Sequence, residues 1–323
     1  MLLRRAFLTG LCTLPVAAHA SSSETLRTSR TPVLPVGHGA EQIAGDAALN
    51  RLTVPARVNG QGPFDFLVDT AAERSVLSVE LAHRLGLQTN RTARLHGIAG
   101  VESVDTVLVN ELAIGGLRSA NLEPLTLPWQ RLEMDGVLGL DVLQERCVVL
   151  DFNGRTLTVA PSRWAQIGAN AVRGEATVKG LSRLGRLTFV DCYVDGTRVH
   201  AFVDSGAQWS VGNEALATAI KAFRPTKGEQ AEPVQLYGAT GQSAVARLGH
   251  AGKFTLGPVQ FMSMDLLFSD LHVFDVWELR DRPALLVGAD LLKLFQTVEL
   301  DFGSGQLRVR RADSGRMQVA QVG

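Results

Sequence analysis

From Arg51 onward the chain is written twice, and a duplicated unit restricts the fold more than any other feature of the 323-residue sequence. The first unit opens with RLTVPARVNGQGPFDFLVDTAAERSVLS and the second with RLTFVDCYVDGTRVHAFVDSGAQWSVGN. Each reads as a strand, a two-residue turn at Asn59-Gly60 or Asp195-Gly196, and a second apolar strand that runs into an acid. Asn-Gly and Asp-Gly accept the positive φ of tight hairpin turns, so two equivalent hairpins should deliver Asp69 and Asp204 to equivalent places. The match continues through short amphipathic helices in VELAHRLG and NEALATAIKAF, then glycine-bracketed tips in LHGIAG and LYGATG. It closes with DGVLGLDVLQERCVVLDFNGRTLTV and ALLVGADLLKLFQTVELDFGSGQLRV, which share apolar-Gly-x-Asp-x-Leu followed by strand, turn and strand.

Strands dominate both units, so the expected fold is mostly β, with two duplicated barrel-like lobes and short helices. The first lobe is expected over residues 49–162 and the second over 172–311, with a tail at 312–323. Residues 21–48 mix Ser, Thr, Pro and Gly without periodicity and read as a linker or N-terminal arm. Residues 1–20 carry Arg4 and Arg5, an apolar run and Ala18-His19-Ala20, the pattern of a removable export signal. The paired arginines resemble a twin-arginine signal with Leu3 in place of the usual Ser or Thr, so either export route fits and the expected location is periplasmic or secreted. Removing that segment takes away two arginines and no acid, changing the formal charge from 0 to −2. Nothing in that balance recruits nucleic acid or an anionic membrane surface. Cys147 and Cys192 remain, either as a pair formed in an oxidising compartment or as two buried thiols.

A two-lobed molecule with a pseudo-two-fold axis brings equivalent loops together at that axis. Asp69 and Asp204 would then face each other, and two carboxylates in contact hold one proton between them, which supplies a base and an acid at once.

At these residues the sequence resembles the aspartic peptidases of the retroviral and pepsin-like fold, in particular bacterial proteins with two tandem retropepsin-like units in one chain. The resemblance rests on VDTAAERSVLS and VDSGAQWSVGN, versions of an Asp-Thr/Ser-Gly-Ala loop, and on GVLGLDVL and LLVGADLL, which would cross behind it. It implies an aspartic endopeptidase with Asp69 and Asp204 as catalytic dyad, needing no cofactor or metal, acting on peptide or protein substrates. It further implies that the hydroxyls of Thr70 and Ser205 lock the two loops together. Gly139 and Gly288 would let a strand pass beneath the acids. Gly97, Ile98 and Gly100, with Gly238, Ala239 and Gly241, would form flap tips over an extended substrate bound by strand addition. One departure stands out: Ala71 occupies the position of the family glycine that Gly206 retains. A methyl there can crowd the loop or shift the dyad, while the backbone amide is kept. Ala72 and Ala207 lack a hydroxyl that would bond the ionised acid, which favours activity at mildly acid to neutral pH. Because both halves lie in one chain, a monomer should suffice. The alternative function is a non-catalytic peptide- or ligand-binding protein on the same fold.

The remaining candidates have plainer readings. Asp141 and Asp290 each begin a short helix and read as N-terminal caps; Asp151 and Asp301 precede Phe and read as turn residues. His38, His83, His96, His200, His250 and His272 show no ligand spacing. Trp129, Trp164, Trp209 and Trp277 read as core or pocket-wall residues, with Trp209 placed for substrate contact by its nearness to the second acid loop. There is no dinucleotide fingerprint, phosphate loop or serine elbow.

Overall fold

The computed structural model describes residues 5–7, 11–12, 33–34, 41–48, 51–162, 175–183, 186–223, 233–257 and 259–311. Its elements are overwhelmingly strands, with helices of four to seven residues between them. The two repeats fold the same way. Arg51–Val58 pairs antiparallel with Gln61–Val68, and Arg186–Val194 pairs with Thr197–Val203. The turns have the conformation their sequences ask for, with φ of 50° and 78° at Asn59 and Gly60 and of 48° and 80° at Asp195 and Gly196.

The strand that ends at each acid becomes a central one. Gly136–Leu138 runs parallel to Gln61–Val68 and antiparallel to Val76–Ser78, so the chain crosses behind Asp69. Ala284–Val287 does the same between Thr197–Val203 and Val211–Gly212 behind Asp204. Burial on both sides explains the unbroken apolar runs FLV and AFV before the acids, since Phe66, Leu67 and Val68 are fully buried and Ala201, Phe202 and Val203 are buried. The crossing works only because Gly139 and Gly288 have no side chain. A Cβ would stand 2.6 Å from the carbonyl carbon of Arg74 in the first lobe and 2.6 Å from that of Trp209 in the second.

The lobes are joined by a sheet to which both contribute, in the order Glu175–Arg183, Gln306–Arg311, Phe295–Asp301, Arg146–Asp151, Thr156–Pro161, Glu41–Ala44. Its centre is the antiparallel pairing of Val149 with Glu299, flanked by Val148 with Leu300 and Leu150 with Val298. CVVLD and TVELD are matched segments of the repeat, so Val149 and Glu299 are equivalent residues facing each other. The pseudo-two-fold axis therefore passes between them. One apolar cluster runs from Ile43 on Glu41–Ala44 and Leu52 in the first lobe to Leu307 and Val309 in the second, so the core is continuous across the junction.

The stretch expected to be an arm is partly built into the fold. Glu41–Ala44 forms the edge of the shared sheet, Asp46–Ala48 pairs with Arg51–Val58, and Val33–Leu34 pairs with Leu117–Leu122. Two short strands from the expected export signal, Arg5–Phe7 and Leu11–Cys12, also pair with the body. The other residues of that signal and of the arm, the tail 312–323, His38 and Trp164 lie outside the described residues. Cys147 and Cys192 are both buried and form no disulfide, so the pairing alternative does not hold. No helix among the described residues is long and apolar enough to cross a membrane.

Candidate active site

Each acid sits where a buried strand meets the crossing strand behind it. The amide of Asp69 donates to the Leu138 carbonyl at 3.1 Å, and that of Asp204 to the Val287 carbonyl at 3.0 Å. The loop then turns back on its own carboxylate. Asp69 Oδ1 accepts from the amides of Ala71 and Ala72, both at 2.8 Å; Asp204 Oδ1 accepts from Gly206 at 3.0 Å and Ala207 at 2.9 Å. The loops match, although one carries alanine where the other carries glycine.

The hydroxyls expected to couple the loops do so reciprocally. Thr70 Oγ1 accepts from the Ser205 amide at 3.1 Å and donates to the Val203 carbonyl at 3.2 Å. Ser205 Oγ accepts from the Thr70 amide at 3.2 Å and donates to the Val68 carbonyl at 2.7 Å. Four buried hydrogen bonds thus tie the two acids to one another through the hydroxyl beside each.

Asp69 is 0% exposed and Asp204 1% exposed. Burial, and next the negative charge of Asp204, push the Asp69 carboxyl well above the usual range; the Ala71 and Ala72 amides and the Arg51 cation only partly oppose them. Asp69 Oδ2 is buried and makes no hydrogen bond among the described residues. It is aimed at the opposite loop, for a Cβ on Gly206 would stand 2.4 Å from it. Neither Ala71 nor Gly206 has a positive φ, so the second loop needs glycine for space and not for backbone conformation.

Each repeat also carries a hairpin with a glycine-bracketed tip. Thr89–Gly97 pairs with Val101–Val107 and Pro233–Tyr237 with Ser243–Leu256. Their tips meet: a Cβ on Gly97 would stand 2.7 Å from the Thr240 methyl, one on Gly238 3.3 Å from Ile98, and Gln242 Nε2 donates to the Val101 carbonyl at 3.2 Å. Each tip is also buried in the other lobe, Ile98 in a cluster with Phe202, Val211 and Leu236, and Ala239 in one with Leu67, Val76 and Leu95. Gly100 faces Gln242, and Gly241 takes a φ of 72°. The free edges of both hairpins accept extended backbone, since Leu11–Cys12 pairs antiparallel with His96 and Gly97, and Arg5–Phe7 pairs parallel with Gln235 to Tyr237.

The plainer candidates divide. Asp151 and Asp301 are turn residues as expected, Asp151 accepting from Gly154 at 2.6 Å and Asp301 from Gly303 and Ser304 at 3.1 and 3.0 Å. Asp141 and Asp290 are not the caps of their helices, whose cap positions are Gly139 and Gly288. Asp141 accepts from the Ser75 hydroxyl at 2.7 Å and Asp290 from that of Ser210 at 2.6 Å. Those hydroxyls accept in turn from the Gly139 and Gly288 amides at 3.1 and 2.9 Å. The paired acids therefore brace the exit of each acid loop against the crossing strand. The serines carry a signal in the repeat, each standing six residues after its acid. Trp209 and Ala99, at the tip of the first hairpin, both pack on the second-lobe cluster, and Trp277 lies on Phe202. Trp129, expected in a core or pocket wall, is 45% exposed.

Two contacts had no local signal. His96, on the strand Thr89–Gly97, lies with Nδ1 3.2 Å from Nε2 of His272 in the second lobe. Arg51, at the start of the first hairpin, is fully buried. No group of three or more His, Cys, Asp and Glu residues that could hold a metal occurs among the described residues.

A family model described as aspartyl protease matches residues 54–142 and 190–291, together more than half of the chain and one segment in each repeat. Among solved structures, the fold is similar to that of the aspartic proteinase from Irpex lacteus, with a TM-score of 0.54 and 13% identity over 85% of this chain and 98% of that one. No curated protein matches the chain.

Proposed function

The chain belongs to the aspartyl protease family, and from that premise we propose that it is an aspartic endopeptidase whose Asp69 and Asp204 activate one water molecule between them. The reading is carried by the four reciprocal hydrogen bonds that join Thr70 and Ser205, because a binding cleft has no need to fix two acids against each other so tightly. Burial and mutual repulsion leave the pair one proton. The ionised member takes a proton from the water, whose oxygen attacks the peptide carbonyl; the protonated member donates to the carbonyl oxygen. Collapse of the tetrahedral intermediate breaks the C–N bond, with the departing amine taking up a proton, and the pair returns to its single-proton state.

Substrate recognition follows from the flaps. An extended peptide would add as a strand beneath Gly97 to Gly100 and Gly238 to Gly241, with main-chain hydrogen bonds to the edges that already pair with Leu11–Cys12 and Arg5–Phe7. Residues 1–20 act as an export signal in this reading, and the mature protein works as a monomer outside the cytoplasm. Incubating the mature protein with a diverse peptide mixture across pH 3 to 8 and sequencing the products by mass spectrometry tests the activity. Endoproteolytic fragments are expected, with a maximum at mildly acid to neutral pH. Peptide binding with no cleavage at any pH would establish the non-catalytic alternative instead.

A further inference from the structure

Arg51 opens the first hairpin and is 1% exposed, while the other largest fully buried side chains among the described residues are apolar. Burying a guanidinium costs several kcal/mol of lost hydration unless its charge is used. Its Nη1 donates to the Gly206 carbonyl in the opposite lobe at 3.4 Å. Gly206 touches both acids: its amide donates to Asp204 Oδ1 at 3.0 Å, and the space where its side chain would be is filled by Asp69 Oδ2. The guanidinium therefore stands one residue away from each carboxylate. The charged groups that face it are Glu133, Asp69 and Asp204; those that face Asp69 are Asp204 and Arg51.

An arginine keeps its proton at any working pH, so its charge is a fixed part of the site. Burial and the proximity of two carboxylates both resist ionisation of the pair, and a fixed cation opposes both. We propose that Arg51 is a positioning residue of the dyad: from the first lobe it braces the second acid loop at Gly206, and it holds a permanent positive charge beside Asp69 and Asp204 so that the pair ionises at a lower pH than burial alone would set. This rests on the peptidase reading above.

The test compares Arg51→Gln, which keeps a donor for the Gly206 carbonyl and loses the charge, with Arg51→Lys, which keeps the charge. In the pH profile of kcat/KM, both limbs are expected to move up by about 1 pH unit in Arg51→Gln, the low end of what a nearby opposite charge does to a carboxyl, and to stay in place in Arg51→Lys. A uniform fall in rate with unmoved limbs in Arg51→Gln would reduce Arg51 to a structural brace and overturn the proposal. Should Arg51→Gln not fold, Arg51→Met, apolar and of similar length, removes the same buried charge without leaving a new polar group unpaired; its limbs should also move up, and limbs that stay in place or fall would overturn the proposal. Carbon-13 titration of the Asp69 and Asp204 carboxyls in the same variants separates this from failure of the peptidase reading. A protein that cleaves nothing should still show the pair titrating higher in Arg51→Gln, and an unshifted titration would contradict the role of Arg51 whether or not the protein is active.

Discussion

At the scale of single residues, the asymmetry between Ala71 and Gly206 is the sharpest departure from a doubled site, and the structure assigns it a direction. Asp69 Oδ2 fills the space beside Gly206, so Gly206→Ala places a methyl 2.4 Å from it and must displace the carboxylate. A displacement near 1 Å at reacting atoms costs on the order of 100-fold, and kcat/KM of Gly206→Ala should fall by about that factor. Ala71→Gly should stay within about threefold of the parent, because both amides already reach Asp69. Stability responds to the buried acid with the opposite sign. The folded-state Asp69 carboxyl lies well above its ordinary value, so the unfolded chain ionises first as pH rises past about 4, and the native state loses stability from there upward. Asp69→Asn should therefore raise the melting temperature at pH 7, with the gain vanishing below about pH 4; an equal gain at pH 3 would contradict this origin. The acids, Thr70 and Ser205 were legible because each motif is local and occurs twice. Arg51 and the His96–His272 contact were not, since what makes them notable is burial and a neighbour from the other lobe.

At the scale of elements, the hairpins and the crossing strands could be read from Asn-Gly, Asp-Gly and the paired apolar-Gly segments, because turn chemistry and close approach leave marks in sequence. The shared sheet could not, as antiparallel pairing between Arg146–Asp151 and Phe295–Asp301 depends on two segments far apart in the chain. The same holds for Asp141 and Asp290, whose helix-start positions suggested caps while their partners, Ser75 and Ser210, lie in the acid loops. The base of the hairpin Thr89–Gly97 with Val101–Val107 is held by Glu123, which accepts from Arg91 Nη2 at 2.6 Å, Asn90 at 2.8 Å and Thr106 at 2.8 Å, and from Arg74 at the exit of the acid loop at 3.0 Å. Hydrogen bonding from Arg91, with smaller help from Thr106, Asn90 and Arg74, brings its carboxyl down to about 2. A depressed carboxyl stabilises the fold above its unfolded value and loses that contribution as pH falls toward the folded one. Glu123→Gln should cost about 1 kcal/mol at pH 7, a figure discounted for the exposed Arg91, and progressively less between about pH 4.5 and 2. Denaturant melts at three pH values read this directly; a cost that does not shrink at low pH would assign it to packing.

At the scale of the whole molecule, duplication explains why one chain holds a site that needs two loops. The axis through Val149 and Glu299 relates the lobes, and the reciprocal Thr70 and Ser205 bonds cross it. A site completed within one chain predicts specific activity independent of protein concentration from nanomolar to micromolar, together with monomeric behaviour in size-exclusion chromatography; activity rising with concentration would mean that the site is assembled between chains. The proposed chemistry depends most directly on the equivalence of Asp69 and Asp204, one from each lobe. Cleavage of a single reporter peptide by folded Asp69→Asn and by folded Asp204→Asn measures it. Both variants should lose cleavage by at least about 1,000-fold at every pH where the parent is active, and cleavage that survives in either one would contradict a dyad shared between the lobes.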